Sequence, residues 1–85
     1  MDDVTQQEPH HLQLAITFRK ELAHLVRESR KAKKLTQYNA AKKIGLDHRH
    51  YQNIEGGKIN VRLDTVMLLA EFYGLKVALT GETAA

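Results

Sequence analysis

Apolar side chains recur every three or four residues in four segments between residues 17 and 74, which is the spacing of amphipathic helices. In the first segment Thr17 suits the N-cap position, and the basic stretch at 30–34 suits the C-terminal end of a helix. The pattern therefore predicts a first helix that begins at Thr17 and buries one stripe of side chains. That stripe comprises Phe18, Leu22, Leu25, Val26 and Ser29.

Capping residues and glycines mark the ends of the next two helices. Thr36 is a suitable N-cap for a second helix, which is expected to end at Gly45 because glycine favours the left-handed conformation found there. Asp47 can cap a third helix over 48–55, and the glycines at 56–57 stop it. The sequence thus predicts two short helices joined by the turn Gly-Leu-Asp.

A fourth helix is predicted from apolar positions at helical spacing that end just before Gly74. Its start is weakly marked, because Arg62 stands where a capping residue would be useful, and Asn60 is the alternative cap. The apolar positions are Leu63, Val66, Met67, Leu69, Ala70 and Tyr73.

Two further stretches alternate in the period of a β-strand. Residues 75–80 are predicted to form a strand, since Leu75, Val77 and Leu79 fall on one face of it. In residues 12–16 the same alternation competes with a helical spacing, and both interpretations stay open.

The length of 85 residues allows one domain with a modest core. We expect a flexible arm over 1–11, the folded domain over 12–74, the strand over 75–80 and a polar tail over 81–85. The absence of cysteine excludes a disulfide framework and a thiol nucleophile. No apolar run approaches the roughly 18 residues of a membrane span, and the N-terminus lacks the apolar stretch of a signal peptide. These features favour a cytoplasmic protein without membrane contact.

The charge of the chain is concentrated in its middle. Residues 19–62 carry a net charge of +8, whereas residues 1–18 carry −3 and residues 63–85 carry −2. A basic middle between acidic ends suggests a polyanionic partner. The alternative is an ordinary solvated charged face.

The third predicted helix separates polar from apolar side chains. At about 100° per residue, four polar side chains fall within roughly 140° of one another. They are His48, Arg49, Gln52 and Asn53. Tyr51 and Ile54 fall on the opposite, inward side. Arginine can pair with guanine, and asparagine or glutamine with adenine, so this face suits base recognition in the major groove. The alternative is that any exposed helix is polar on one side.

An ordered set of landmarks in residues 18–75 resembles the lambda-repressor-like helix-turn-helix family, the Cro and Xre group. The landmarks are Leu35, Thr36, Gln37, Ala41, Gly45, Ile54, Glu55, Gly57, Lys58, Asn60, Leu63, Leu69 and Ala70. The resemblance implies that the second of the two short helices enters the major groove of double-stranded DNA. It places His48, Arg49, Gln52 and Asn53 on base-contacting positions. It places phosphate contacts at Thr36, Gln37, Lys58, Asn60 and Arg62. Finally, it implies a buried salt bridge between Arg30 and Glu55.

The chain departs from the family pattern at several positions. Lys34 stands where relatives often have glycine, Ser29 where they usually have leucine, and residues 61–62 replace a common Pro-Ser. The strand predicted at 75–80 takes the place of a fifth helix and resembles that of HipB-type antitoxins, in which two subunits pair. This implies a homodimer formed through Leu75, Val77 and Leu79. The alternative is a strand that lies over the core of its own subunit.

Together these features predict an all-α helix-turn-helix bundle of four main helices with a short C-terminal β-strand. The expected function is a DNA-binding transcriptional regulator, a repressor that binds an inverted-repeat operator as a dimer. The alternative is an antitoxin or protein-interaction module that pairs with a toxin protein, with or without autoregulatory DNA binding. We expect no enzyme, catalytic residue or cofactor. No metal site is expected either, since His48 and His50 fall on different helix faces.

Overall fold

Four α-helices make up the described part of the chain, which comprises residues 9–79 and 81 of a computed structural model. They are α1 (His10–Ala32), α2 (Gln37–Ile44), α3 (His48–Glu55) and α4 (Leu63–Tyr73). The bundle agrees with the predicted helix-turn-helix architecture. Within these residues no helix is long and apolar enough to cross a membrane.

Helix α1 begins seven residues earlier than the sequence predicted, at His10. Thr17 lies inside the helix, so its prediction as an N-cap is wrong, and residues 12–16 are helical. Pro9 occupies the N-cap position instead. A backbone N–H at that position would make no bond within the helix, so proline loses none there. The helical spacing of the apolar residues before Thr17 therefore outweighs their alternation. His10 and His11 belong to the first turn rather than to an arm, of which residues 1–8 lie outside the described part.

The predicted caps of α2 and α3 are confirmed. The Thr36 hydroxyl accepts a hydrogen bond from the Asn39 N–H at 3.0 Å, and Asp47 Oδ2 accepts one from the His50 N–H at 3.2 Å. Helix α2 ends at Gly45 in the left-handed conformation, with φ +96°. Asn60 does not cap α4, whose N-cap position is held by Arg62 without a side-chain hydrogen bond to a backbone N–H of the helix.

The core lies where the four helices meet, and its most buried large side chains are Val26, Tyr51, Ile54 and Leu69. Only part of the predicted α1 stripe reaches it, because Phe18 and Leu25 remain 50% and 49% exposed. Helix α4 likewise buries Val66, Leu69 and Ala70, whereas Leu63 and Met67 are exposed. One face of α1 and part of α4 therefore present apolar side chains to solvent.

Residues 75–79, the described part of the predicted strand, form no β-strand; Thr80 lies outside the description. A strand needs a neighbour for its backbone hydrogen bonds, and the described residues contain no other extended segment assigned as a strand. Leu75 packs against the core of its own chain, as the alternative interpretation expected for the whole segment. Val77 is partly exposed and Leu79 fully exposed.

The turn after α1 contains a strained residue. Among the described residues other than glycine, Lys34 alone has a positive φ, of +59°. The conformation lets the Leu35 N–H donate to the Arg30 carbonyl at 3.2 Å and close the end of α1. This explains why the family pattern favours glycine there, since a Cβ in the left-handed region costs about 1–2 kcal/mol.

Lys34→Gly is expected to raise the free energy of unfolding by about 0.5–1 kcal/mol, because relief of the steric cost exceeds the added freedom of the unfolded chain. Urea denaturation of both proteins measures the difference. The matched control is Lys33→Gly, at a residue with φ −85°, which should lower stability. Equal effects of the two substitutions would show that Lys34 is not strained.

Candidate nucleic-acid interface

Helix α3 has one buried face and one exposed face. Tyr51, Ile54 and Glu55 point into the bundle. On the other side Arg49 and Gln52 are exposed. His48 and Asn53 are half-buried, and they flank the same surface. The polar face of α3, defined as His48, Arg49, Gln52 and Asn53, is thus open to a partner along the helix.

Glu55 places a carboxylate inside the bundle, with its side chain 2% exposed. Arg30 Nε donates to Glu55 Oε2 at 2.7 Å and Arg30 Nη2 donates to Oε1 at 3.2 Å. This two-point ion pair joins α1 to α3, as the family resemblance implied. Arg27 Nη1 adds a hydrogen bond to the Glu55 carbonyl at 3.1 Å. The last residue of α3 is therefore held by α1 at both its backbone and its side chain.

Gln37, expected from the resemblance at a phosphate, connects the buried carboxylate to the polar face of α3. Its Nε2 donates to Glu55 Oε1 at 2.9 Å, and its Oε1 accepts from Gln52 Nε2 at 3.3 Å. An ionised carboxylate only accepts hydrogen bonds, so the amide of Gln37 must turn its nitrogen toward Glu55. The oxygen of Gln37 then faces Gln52, which fixes how the Gln52 amide is turned.

The surroundings of Glu55 favour its charged form. Burial by itself would raise the pKa of the carboxyl, but hydrogen bonds from Arg30 and Gln37 and the charge of Arg30 hold it below its usual range. Next to it, the hydroxyls of Tyr51 and Tyr73 lie 2.6 Å apart and join α3 to α4. Burial raises the pKa of both phenols, so they stay neutral hydrogen-bonding groups.

A family profile described as Helix-turn-helix matches residues 26–79, well over half of the chain. The chain belongs to the helix-turn-helix family, in its Cro, Xre and lambda-repressor-like group. This is a family of DNA-binding regulators and not of enzymes. No curated protein and no solved structure shows significant similarity to the chain. In the described residues no group of three metal-ligating side chains is present.

The helix-turn-helix chain carries its expected phosphate contacts on two segments. Thr36 caps α2 by accepting a hydrogen bond at its hydroxyl oxygen, which leaves its O–H donor available, and the free N–H groups of that helix start lie beside it. Lys58, Asn60 and Arg62 are exposed on the loop between α3 and α4. Arg62 forms an exposed ion pair with Asp64 at 3.1 Å.

Two interactions of the domain were not expected from the sequence. The Tyr38 and His48 rings meet edge to face with centroids 5.5 Å apart, which places a tyrosine of α2 beside the polar face of α3. Arg19 of α1 donates to the Gly57 carbonyl at 3.1 Å and to Asn60 Oδ1 at 3.0 Å. Arg19 lies far from both in sequence, inside the helix that the sequence predicts from Thr17 onward. The helical period indicates its place on α1, but it does not indicate which residues of the loop it contacts.

Glu55→Gln is expected to lower the free energy of unfolding at neutral pH by about 3 kcal/mol, because the buried Arg30 loses its counterion. The folded-state pKa of Glu55 is lowered, so its stabilisation is present above the pKa of the unfolded chain. It is lost as the pH falls below about 4.5 through the folded-state value. The stability of Glu55→Gln should therefore fall less steeply over that acidic range.

Urea unfolding at a series of pH values tests this expectation. The control is Asp64→Asn, which breaks the exposed pair with Arg62 and should change stability little. Parallel pH curves for the wild type and Glu55→Gln would contradict the assigned charge of Glu55.

Proposed function

We propose that this chain is a transcriptional regulator that binds double-stranded DNA at a specific sequence and places α3 in the major groove. The observation that carries the proposal is the polar face of α3, exposed on a helix whose other face is fixed to the bundle. Membership of the helix-turn-helix family supports the same partner. Base recognition needs such a fixed frame, since a hydrogen bond to a base edge tolerates little displacement.

All four side chains of this face have groups that can hydrogen-bond to base edges. Arg49 presents a forked donor that matches the two acceptors of guanine. Gln52 donates one N–H to Gln37 and keeps its oxygen and a second N–H. These are the acceptor and the donor that pair with adenine. Asn53 offers the same amide chemistry one residue further on. His48, held against Tyr38, lies at the helix start and can donate to a base or a phosphate.

The remaining cationic and polar groups are suited to contact phosphates on either side of the major groove. The start of α2, at Thr36 and Gln37, offers backbone N–H groups to an anion. Gln37 also keeps one amide N–H after its bond to Glu55. Lys58, Asn60 and Arg62 lie beyond the other end of α3. Such contacts orient the protein on the duplex and leave the choice of sequence to the polar face.

Arg49→Ala is expected to weaken binding to the preferred duplex by about 1–3 kcal/mol and to relax one base position. Lys58→Ala should weaken the preferred and a random duplex alike and reduce the slope of log affinity against log salt by about one. Fluorescence anisotropy titrations on the two duplexes at several salt concentrations measure both effects. Each variant serves as the control of the other. Equal losses on the two duplexes from Arg49→Ala would contradict its role in base recognition.

We expect the regulator to bind its operator as two copies of the chain. Two α3 helices about 34–36 Å apart reach successive major grooves and select an inverted repeat, which suits a repressor that covers a promoter. The proposed contact is the C-terminal segment, where Val77 is partly exposed beside Phe18 and Leu25 of α1 and Leu79 is fully exposed. Leu75 contributes from its place in the core. An extended segment with unpaired backbone can be completed by the same segment of another copy.

Val77→Cys is expected to form a disulfide between two copies, because antiparallel pairing centred on Val77 places that residue opposite itself. The chain has no native cysteine, so non-reducing electrophoresis reports the new bond alone. Leu79→Cys should cross-link poorly, since its opposite neighbour would be Leu75. Leu63→Cys, exposed at the start of α4, is the control for random collisions. Equal cross-linking of all three variants, or a monomer in sedimentation with operator DNA present, would contradict this dimer.

A further inference from the structure

Arg19 joins the front part of α1 to the loop that follows α3. Its Nε donates to the Gly57 carbonyl at 3.1 Å, and its Nη1 donates to Asn60 Oδ1 at 3.0 Å. Arg19 precedes the residues matched by the family profile, which begin at residue 26.

The loop lies close against α1 at this point. Gly57 is buried and has φ +65°, and a Cβ added there would lie 3.4 Å from Lys20 Cγ and 3.6 Å from Ala23 Cβ. Glycine thus lets the chain turn while its backbone touches α1. Arg19 bonds the loop on both sides of Lys58, through Gly57 before it and Asn60 after it.

The bond to Asn60 also determines which end of its amide faces outward. A guanidinium has only donors, so the amide oxygen of Asn60 must face Arg19. The amide nitrogen of Asn60, with its two N–H donors, is turned away from Arg19. A phosphate oxygen only accepts hydrogen bonds, so this is the end of the amide that DNA requires.

We propose that Arg19 is a positioning residue for DNA binding, which fixes the loop of Lys58 and Asn60 and turns the Asn60 amide nitrogen toward a phosphate. The inference rests on the proposed function, because it assigns Arg19 its effect through a DNA-contacting loop. Arg19 acts through Asn60 and not as an independent phosphate contact, since its guanidinium is partly buried and two of its nitrogens already donate within the chain.

A double-mutant cycle separates these two roles. Arg19→Ala and Asn60→Ala should each weaken binding to the preferred duplex and to a random duplex by about tenfold. The double variant should bind as weakly as either single variant, to within about twofold, because both changes remove the same contact. Losses that multiply in the double variant would show that Arg19 does not act through Asn60 and would overturn the proposal.

Two conservative variants test the chemistry of the contact. Asn60→Asp keeps an acceptor for Arg19 but removes the donors, so amide hydrogen exchange at Gly57 and Lys58 should stay slow while DNA affinity falls. Arg19→Lys keeps the charge but cannot reach both acceptors, so it should bind DNA nearly as weakly as Arg19→Ala. Full affinity of Arg19→Lys would overturn the proposal. Lys31→Ala, which removes an exposed cation of α1, is the control for loss of charge alone.

Hydrogen exchange of the DNA-free protein keeps this inference distinct from the proposed function. Arg19→Ala should speed the exchange of the Gly57 and Lys58 amides, which donate to the Ile54 and Asn53 carbonyls, at least tenfold relative to Lys31→Ala, with unchanged far-UV circular dichroism. If the wild type binds no duplex, the proposed function fails and the inference fails with it. If the wild type binds a preferred duplex but Arg19→Ala binds it equally well, the inference alone fails.

Discussion

The buried carboxylate of Glu55 organises the half of this domain that carries the polar face of α3. A charge with a 2% exposed side chain is costly unless its oxygens are hydrogen-bonded, and Arg30 and Gln37 supply those bonds from α1 and α2. Since Glu55 is the last residue of α3, satisfying its charge also fixes that helix between its two neighbours. Gln52, bonded to Gln37, then takes its orientation from the same buried group.

Local chemistry made much of the bundle predictable from the sequence. Thr36, Asp47 and Gly45 act through their own side chains and backbone preferences, so their positions at the ends of α2 and α3 could be read directly. The start of α1 was missed because two periodicities overlap before Thr17. The strand at 75–80 was expected by alternation, whereas a strand also needs a neighbour, which the described residues do not supply. Arg19 was missed because its bonds join residues far apart in sequence.

Different residues along α1 contact different parts of the domain. Arg30 and Arg27 hold the end of α3, and Arg19 holds the loop that leaves it. The same helix exposes Phe18 and Leu25 on another face, next to the C-terminal segment. One long helix thus supports the proposed base contacts, the proposed phosphate contacts and the proposed dimer contact. The family fold supplies the frame, and the side chains on that frame determine which duplex it binds.

Selection of binding sites from a pool of random duplexes, followed by titration of the enriched duplex at several salt concentrations, tests the central claim most directly. The account predicts an inverted repeat with half-sites about one helical turn apart, bound at least about a thousandfold more tightly than random DNA. No enriched sequence, with only weak and steeply salt-dependent binding, would contradict the claim that the polar face of α3 recognises bases.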